Sequence, residues 1–197
     1  MVRLGVWERG TYIGVIIFSR GASPNLLNPY GLRVTEGCEL TRIAMGEHRA
    51  PISRMVSIAL RKLQVHDKGL RLVVSFADPN HDHLGSIYQA GNWVYTGSTA
   101  PTAEFRDAGG KRWHERQVSK TGWTKQYGMY RRTRPRSSLQ RIRLLGKHRY
   151  LYPLDKPMRQ QIECLRLPYP KRQKDSSEPP SVPLGEGGAA PTLALQR

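Results

Sequence analysis

The stretch LRLVVSFA, residues 70–77, constrains the fold more than any other part of the chain. Eight residues with almost no polar alternation read as a central strand covered on both faces, and such a strand needs neighbours and layers to cover it. It stops at Asp78-Pro79. The pattern on either side supplies those partners. Residues 2–7 and 12–18 are β-rich runs separated by Glu8-Arg9-Gly10-Thr11, which reads as an antiparallel hairpin. Residues 22–35 are rich in Pro, Asn and Gly and read as a loop. ELTRIAM, residues 39–45, reads as a strand with Leu40 and Arg42 on one face and Thr41 and Ile43 on the other. From Pro51 the period changes: Ile52, Met55, Val56, Ala59, Leu60 and Leu63 form the apolar stripe of a helix that starts at this proline. Leu84, Ile87 and Tyr88 predict a short helix, and NWVYT at 92–96 a further strand. Late in the chain, residues 150–152 read as a strand and 157–165 as a short helix with Met158, Ile162 and Leu165 inward. The expected class is α/β (α+β), a mixed twisted sheet with crossover helices.

Hydrophobic residues make up 38% of the 197 positions, below the usual ~45–50%, so part of the chain is expected not to pack. Prolines and GEGGAAP in the last stretch predict a disordered C-terminal tail over 173–197. The net charge of +17 is concentrated: residues 106–149 hold 14 basic and 2 acidic side chains. Trp113, Trp123, Tyr127 and Tyr130 are interleaved there with Lys111, Arg112, Arg116, Lys125, Arg131 and Arg132. Cations neutralise phosphates and aromatic faces stack on bases, so this segment is the candidate nucleic-acid contact, with a solvated basic loop as the alternative. The division expected is a core over 1–105, a basic and aromatic segment over 106–149, a strand and helix completing the core over 150–172, and the tail. No apolar run approaches the ~20 residues of a membrane span, and the N-terminus lacks a secretory signal's apolar centre. Cys38 and Cys164 form neither a disulfide framework nor a CxxC zinc site, which points to a reducing cytoplasm.

In open sheets of this kind, ligands bind beyond the carboxyl ends of the strands. Three features converge there. The turn Gly46–Pro51 leads into the long helix, whose free N–H groups, with Arg49 and Arg54, can hold a phosphate or simply be capped. Asp78 ends the apolar strand, as a proton acceptor or as a turn-forming residue before Pro79. Tyr88 is a proton donor or a core tyrosine. Apart from these three, the nearby His81-Asp82-His83 offers metal ligands or a solvated loop. Serine, cysteine and zinc hydrolase signatures are missing from the sequence.

SFADPNHDHLGSIYQAGNWVYTG (75–97) and GKHRYLYPLDK (146–156), with PYPKR at 168–172, resemble the Mom DNA-modification family of bacteriophages, and the element order resembles the Gcn5-related N-acetyltransferase fold. The resemblance implies an enzyme that adds a carbamoylmethyl-type group to the N6 amine of adenine in double-stranded DNA and so shields phage DNA from restriction in the host cytoplasm. It implies Asp78, Tyr88, Tyr95 and Arg42 at the catalytic pocket, Ser53 and Ser57 beside Arg49 and Arg54 near the donor or the adenine, and Lys147, His148, Arg149 and Tyr150 on a DNA-facing or pocket-closing strand. The donor is acyl-CoA-like or glycine-derived. An iron goes with the family, its ligands here unknown. Acetyltransferase phosphate loops carry R/Q-x-x-G-x-G/A, whereas this chain has His48-Arg49-Ala50-Pro51-Ile52-Ser53, which argues against acetyl-CoA. Such folds also begin with a strand and helices ahead of the first hairpin, and here the first hairpin strand itself starts at Val2, so a start lying upstream or a chain shortened at its N-terminus is expected. A protein N-acetyltransferase and a non-catalytic DNA-binding relative are the rival readings, and oligomer formation stays open.

Overall fold

The computed structural model describes residues 1–21 and 23–171. The tail expected over 173–197, and Arg172 before it, lie outside the described residues. The elements run β1 (Val2–Glu8), β2 (Thr11–Ser19), β3 (Gly37–Met45), α1 (Ile52–His66), β4 (Leu72–Ala77), α2 (Ser86–Ala90) and β5 (Val94–Ser98). A run of short strands follows: β6 (Thr102–Arg106), β7 (Arg112–His114), β8 (Val118–Ser119), β9 (Trp123–Gln126), β10 (Met129–Arg132), β11 (Arg134–Pro135) and β12 (Gln140–Leu144). The chain then closes with β13 (His148–Pro153) and α3 (Lys156–Glu163). The class is mixed α+β, strands outnumbering helices.

A six-stranded sheet in the order β1-β2-β3-β4-β13-β5 forms the core. Its neighbours are antiparallel except β3 and β4, which α1 joins as a crossover. Strand β4 alternates between two apolar layers, as its sequence requires. Val73 and Ala77 face α1, where Met55, Val56, Ala59, Leu60 and Leu63 pack on the sheet. Leu72 and Val74 face the other layer, built from Leu27, Tyr30, Leu32, Met158 and Ile162. The loop between β2 and β3 is thus more than a connector: Leu27, Tyr30 and Leu32 are buried and pack on the sheet face opposite α1. Helix α3 ends at Glu163 and leaves Leu165 41% exposed, against the inward position expected of it. It is capped by Asp155, which accepts the Met158 N–H at 2.6 Å and bonds Arg71 Nε at 2.8 Å, tying the helix to the start of β4. The open edge at β5 is covered by residues 167–170. Leu167 N–H donates to the Tyr95 carbonyl, and the Tyr169 hydroxyl to that of Trp93.

The expected facing of β3 is corrected. Ile17 pairs with Arg42 and Phe18 with Leu40, so Thr41 is a bulge residue in β3. Because paired residues share a face, Leu40 (opposite Phe18) and Ile43 (opposite Ile16) lie on the α1 side, and Arg42 on the other. One inserted residue reverses a strict period of two.

Between β5 and β13 the basic segment folds as a small β module rather than a loop. Its sheet order is β12-β6-β7. Ala103, Phe105 and Val118 are buried beneath Trp113 and Leu139. Glu104, almost fully buried, is ion-paired to Arg106 Nε at 3.1 Å and bonded by Arg112 Nε at 2.7 Å.

Candidate functional site

Strands β3 and β4 pair only between Gly37–Glu39 and Leu72–Val74. Beyond Glu39, β3 stays with β2 as far as Met45, and β4 stays with β13 as far as Ala77. The two parallel strands therefore fork at their carboxyl ends, and the fork opens into a cleft of about 820 Å³. Thr41, Arg42 and Ile43 line one side, Phe76, Ala77 and Asp78 the other, and Tyr88 of α2 its inner wall.

At the base of the fork the Ser75 hydroxyl bridges the Leu40 carbonyl (2.9 Å) and the Tyr88 hydroxyl (2.8 Å), and its side chain is fully buried. A side chain thus takes up a strand carbonyl where the parallel ladder ends, as buried backbone acceptors require. Burial raises the Tyr88 hydroxyl above the ordinary phenol range, the Ser75 bond opposing it only in part, so Tyr88 is a neutral proton carrier at pH 7. The string IYQAGNWVYTG forms the aromatic wall behind it. Tyr88 packs on Trp93 and Tyr150 with ring centroids 5.0 and 5.1 Å apart. Tyr150 is fully buried, donates its hydroxyl to the Leu84 carbonyl and has its own pKa pushed up to about 12 by burial. It is a wall residue, not a DNA-facing one: on β13 it points to the α1 layer, where Tyr88, Trp93 and Tyr95 fill the space around it.

Asp78 combines both readings that its sequence position allows. It caps the turn Pro79–His81, accepting from the Asn80 backbone N–H (3.0 Å) and side-chain amide (2.8 Å) at Oδ1. Its Oδ2 lies in the cleft, 3.4 Å from Lys147 Nζ and 3.7 Å from His81 Nδ1. Burial works to raise its pKa, but the two Asn80 bonds and the Lys147 charge outweigh it, so the carboxyl sits below the ordinary range and is ionised.

The same residues root the β module. Asn80 exchanges both amide bonds with the Leu145 backbone, at 2.9 and 3.1 Å. Thr99 N–H donates to the Lys147 carbonyl, and Lys147 N–H to the Thr99 hydroxyl, both at 2.9 Å. Gly146 sits so close to the Thr99 carbonyl that a Cβ would lie 1.8 Å from it, so only glycine fits this crossing. Thr99 and Lys147 both line the cleft, and the chain enters and leaves the module at its rim.

Other expected site residues lie elsewhere. The Arg49 and Ala50 N–H groups ahead of α1 are taken by the Glu8 carboxylate, at 2.9 and 2.8 Å, and these two bonds hold Glu8 below the ordinary carboxylate range. The turn's amides are thus capped from within the chain. Ser53, Arg54 and Ser57 line a separate cavity of about 340 Å³ with Asn92, Trp93 and Tyr152. Helix α2 stands between the two: its start lines the cleft and its end this second cavity. Tyr95 is buried in the α1 layer, its hydroxyl 3.0 Å from His148 Nδ1, which is also 3.2 Å from Ser98 Oγ. Burial lowers the His148 pKa, so its ring is neutral at pH 7. Arg149 pairs with Phe76 on β4, half-buried.

In the module, Arg112 is committed to Glu104, and the Trp113 indole N–H to Asp107 at 3.0 Å. Lys111 Nζ lies 4.7 Å and the Arg134 guanidinium 4.9 Å from the Trp113 ring centre. Arg131 and Arg132 are exposed on β10, and Lys125 faces Tyr130 across the β9–β10 pair. The Arg116 side chain lies outside the described residues. Four participants escaped the sequence reading: Ser75, Asn80, Thr99 and Glu39, the last lining the cleft on β3. Only Ser75 carried a local signal, as the one polar residue inside β4.

Fold and site together define an α+β protein with a cleft in a strand fork and a cationic β module at its mouth. The chain belongs to the Mom protein family, which it matches over residues 1–171. It is 27% identical, over 177 aligned residues, to the protein named methylcarbamoylase Mom of Escherichia phage Mu, the match covering 86% of this chain and 72% of that one. Among the described residues no helix is long and apolar enough to cross a membrane.

Proposed function

We propose that this chain is a phage DNA-modifying transferase that receives an adenine in the β3–β4 cleft and places a carbamoylmethyl-type group on its N6 amine, protecting the DNA from restriction. The observation that carries the reading is the attachment of the module at the cleft rim through Asn80, Thr99, Gly146 and Lys147. Membership of the Mom family and the name of the phage Mu relative support it.

An exocyclic amine stacked inside a duplex cannot meet a donor, so the base must leave the helix. Adenine N6 is a weak nucleophile while its lone pair is shared with the ring. As the N–C bond forms, the nitrogen becomes positively charged and far more acidic than a carboxylic acid. A carboxylate held at low pKa is then a sufficient proton acceptor, and the Asp78 Oδ2 facing the cleft takes that role. Tyr88, kept neutral by burial and positioned by Ser75, turns its hydroxyl proton from the Ser75 oxygen to the departing part of the donor. Arg42, exposed at the mouth, offers a cation to an anionic donor group. Among the described residues no three His, Cys, Asp or Glu side chains come together as an iron site would need.

Mass spectrometry of nucleosides from cells expressing the chain tests this reading. A modified adenine is expected with the native chain, absent with Asp78→Ala and strongly reduced with Tyr88→Phe. Unmodified DNA with the native chain, or full modification with Asp78→Ala, contradicts it.

A further inference from the structure

Hairpin β9–β10 has features that folding does not explain. Among the described residues it pairs with no other strand, and it turns tightly at Tyr127-Gly128, both with positive φ (52° and 79°). Its aromatic side chains face solvent: Tyr127 is 86% exposed, Tyr130 73% and Trp123 55%. Isolated two-stranded hairpins gain little stability from such residues, and three exposed rings on one short hairpin mark a binding surface.

The pairing register sorts the hairpin into two faces. Trp123, Lys125 and Tyr130 give an aromatic and cationic outer face, while Arg132, at the strand end opposite Trp123, reaches the other side. Thr124 opposite Arg131, with Gln126, gives a polar face. That polar face closes a groove of about 640 Å³ with Trp113, Gln117, Thr133 and Arg134. Among the described residues, three arginines line the groove and no carboxylate does. Arginines beside amide and hydroxyl side chains fit a phosphate backbone. The rings on the other face and at the tip fit the flat faces of bases.

Resting on the DNA reading above, we propose that β9–β10 is a strand-opening wedge. The groove holds the sugar-phosphate of one strand by Arg131, Arg132 and Arg134. The tip, with Trp123, Tyr127 and Tyr130, enters the stack and displaces a base, and the rooting of the module at the rim directs that base toward the cleft. An aromatic and cationic hairpin also suits an anionic membrane surface. A peripheral membrane binder would not need a groove of arginines without a carboxylate, whereas here that groove belongs to a module tied to the cleft rim by the Asn80–Leu145 and Thr99–Lys147 bonds.

The test uses the full chain and a duplex carrying 2-aminopurine, whose emission rises when it unstacks. Salt-dependent binding by the native chain with a several-fold rise in emission is expected. The triple variant Trp123→Ala, Tyr127→Ala, Tyr130→Ala should bind about ten-fold more weakly and lose the rise even at saturating protein. Arg131→Ala with Arg132→Ala should weaken binding but recover the rise at saturation. Because all three rings are exposed, an unchanged thermal transition checks that the triple variant is folded. Binding by the native chain without a rise, or a rise that survives loss of the three rings, overturns the wedge and leaves the DNA reading standing. Failure of the native chain to bind duplex, or binding to phosphatidylglycerol vesicles alone, overturns both.

Discussion

The six-stranded sheet and the β module solve the problem of folding in opposite ways. The sheet buries two apolar layers, with Ser75 its fully buried polar side chain. The module buries Ala103, Phe105 and Val118, and holds itself together by Glu104 between two arginines and by Trp113 beneath two cations. Burial of apolar area is not weakened by moderate salt, whereas ion pairs reached by solvent through half-exposed arginines are partly screened by it. The sheet that frames the cleft and the cationic module are therefore built from different forces, and the two should respond differently to the same perturbations.

The largest contrast is expected from core truncation. Tyr150→Ala opens a cavity where Tyr88, Tyr95 and Tyr169 meet and should cost about 3–5 kcal/mol in chemical denaturation. Phe105→Ala should disorder the module and abolish DNA binding with little change in the main unfolding transition. A common loss of stability from both would mean that sheet and module are one cooperative unit. Next in size, Arg131→Ala with Arg132→Ala should lower the slope of log affinity against log salt by about 2, with stability unchanged within roughly 0.5 kcal/mol.

The smallest effect concerns the α3 cap. Asp155→Ala should cost about 1–2 kcal/mol. The Arg71 bond, the leading cause, and the Met158 N–H hold the Asp155 carboxyl below its ordinary value. Its contribution is therefore complete above the unfolded value of about 3.9 and lost as pH falls through the lower folded one. Stability curves of native and Asp155→Ala chains should converge in that acid window. Parallel curves would remove the carboxylate from the account.

How far the sequence could be read follows the range of the interactions. Helix α1 and strand β4 declared themselves because their periods come from their own burial. The Thr41 bulge did not, since a bulge exists only relative to the partner strand β2. Nor did the Glu8 cap, which reaches amides 41 and 42 residues away. The Arg-rich segment showed its charge but not its strands, because short strands stabilised by Glu104 and Trp113 carry no apolar alternation. The residues of the resemblance string proved to be largely wall: Tyr88 faces the cleft, while Trp93 and Tyr95 stiffen what stands behind it.

The claim on which everything else depends is that the fork between β3 and β4 receives the adenine. A duplex carrying 8-azidoadenine, irradiated on the native chain and mapped by peptide mass spectrometry, tests it directly. Attachment at Thr41–Ile43 or at Ile87-Tyr88 is the expected result. Attachment confined to the cavity of Ser53 and Ser57, or to the module, would contradict it.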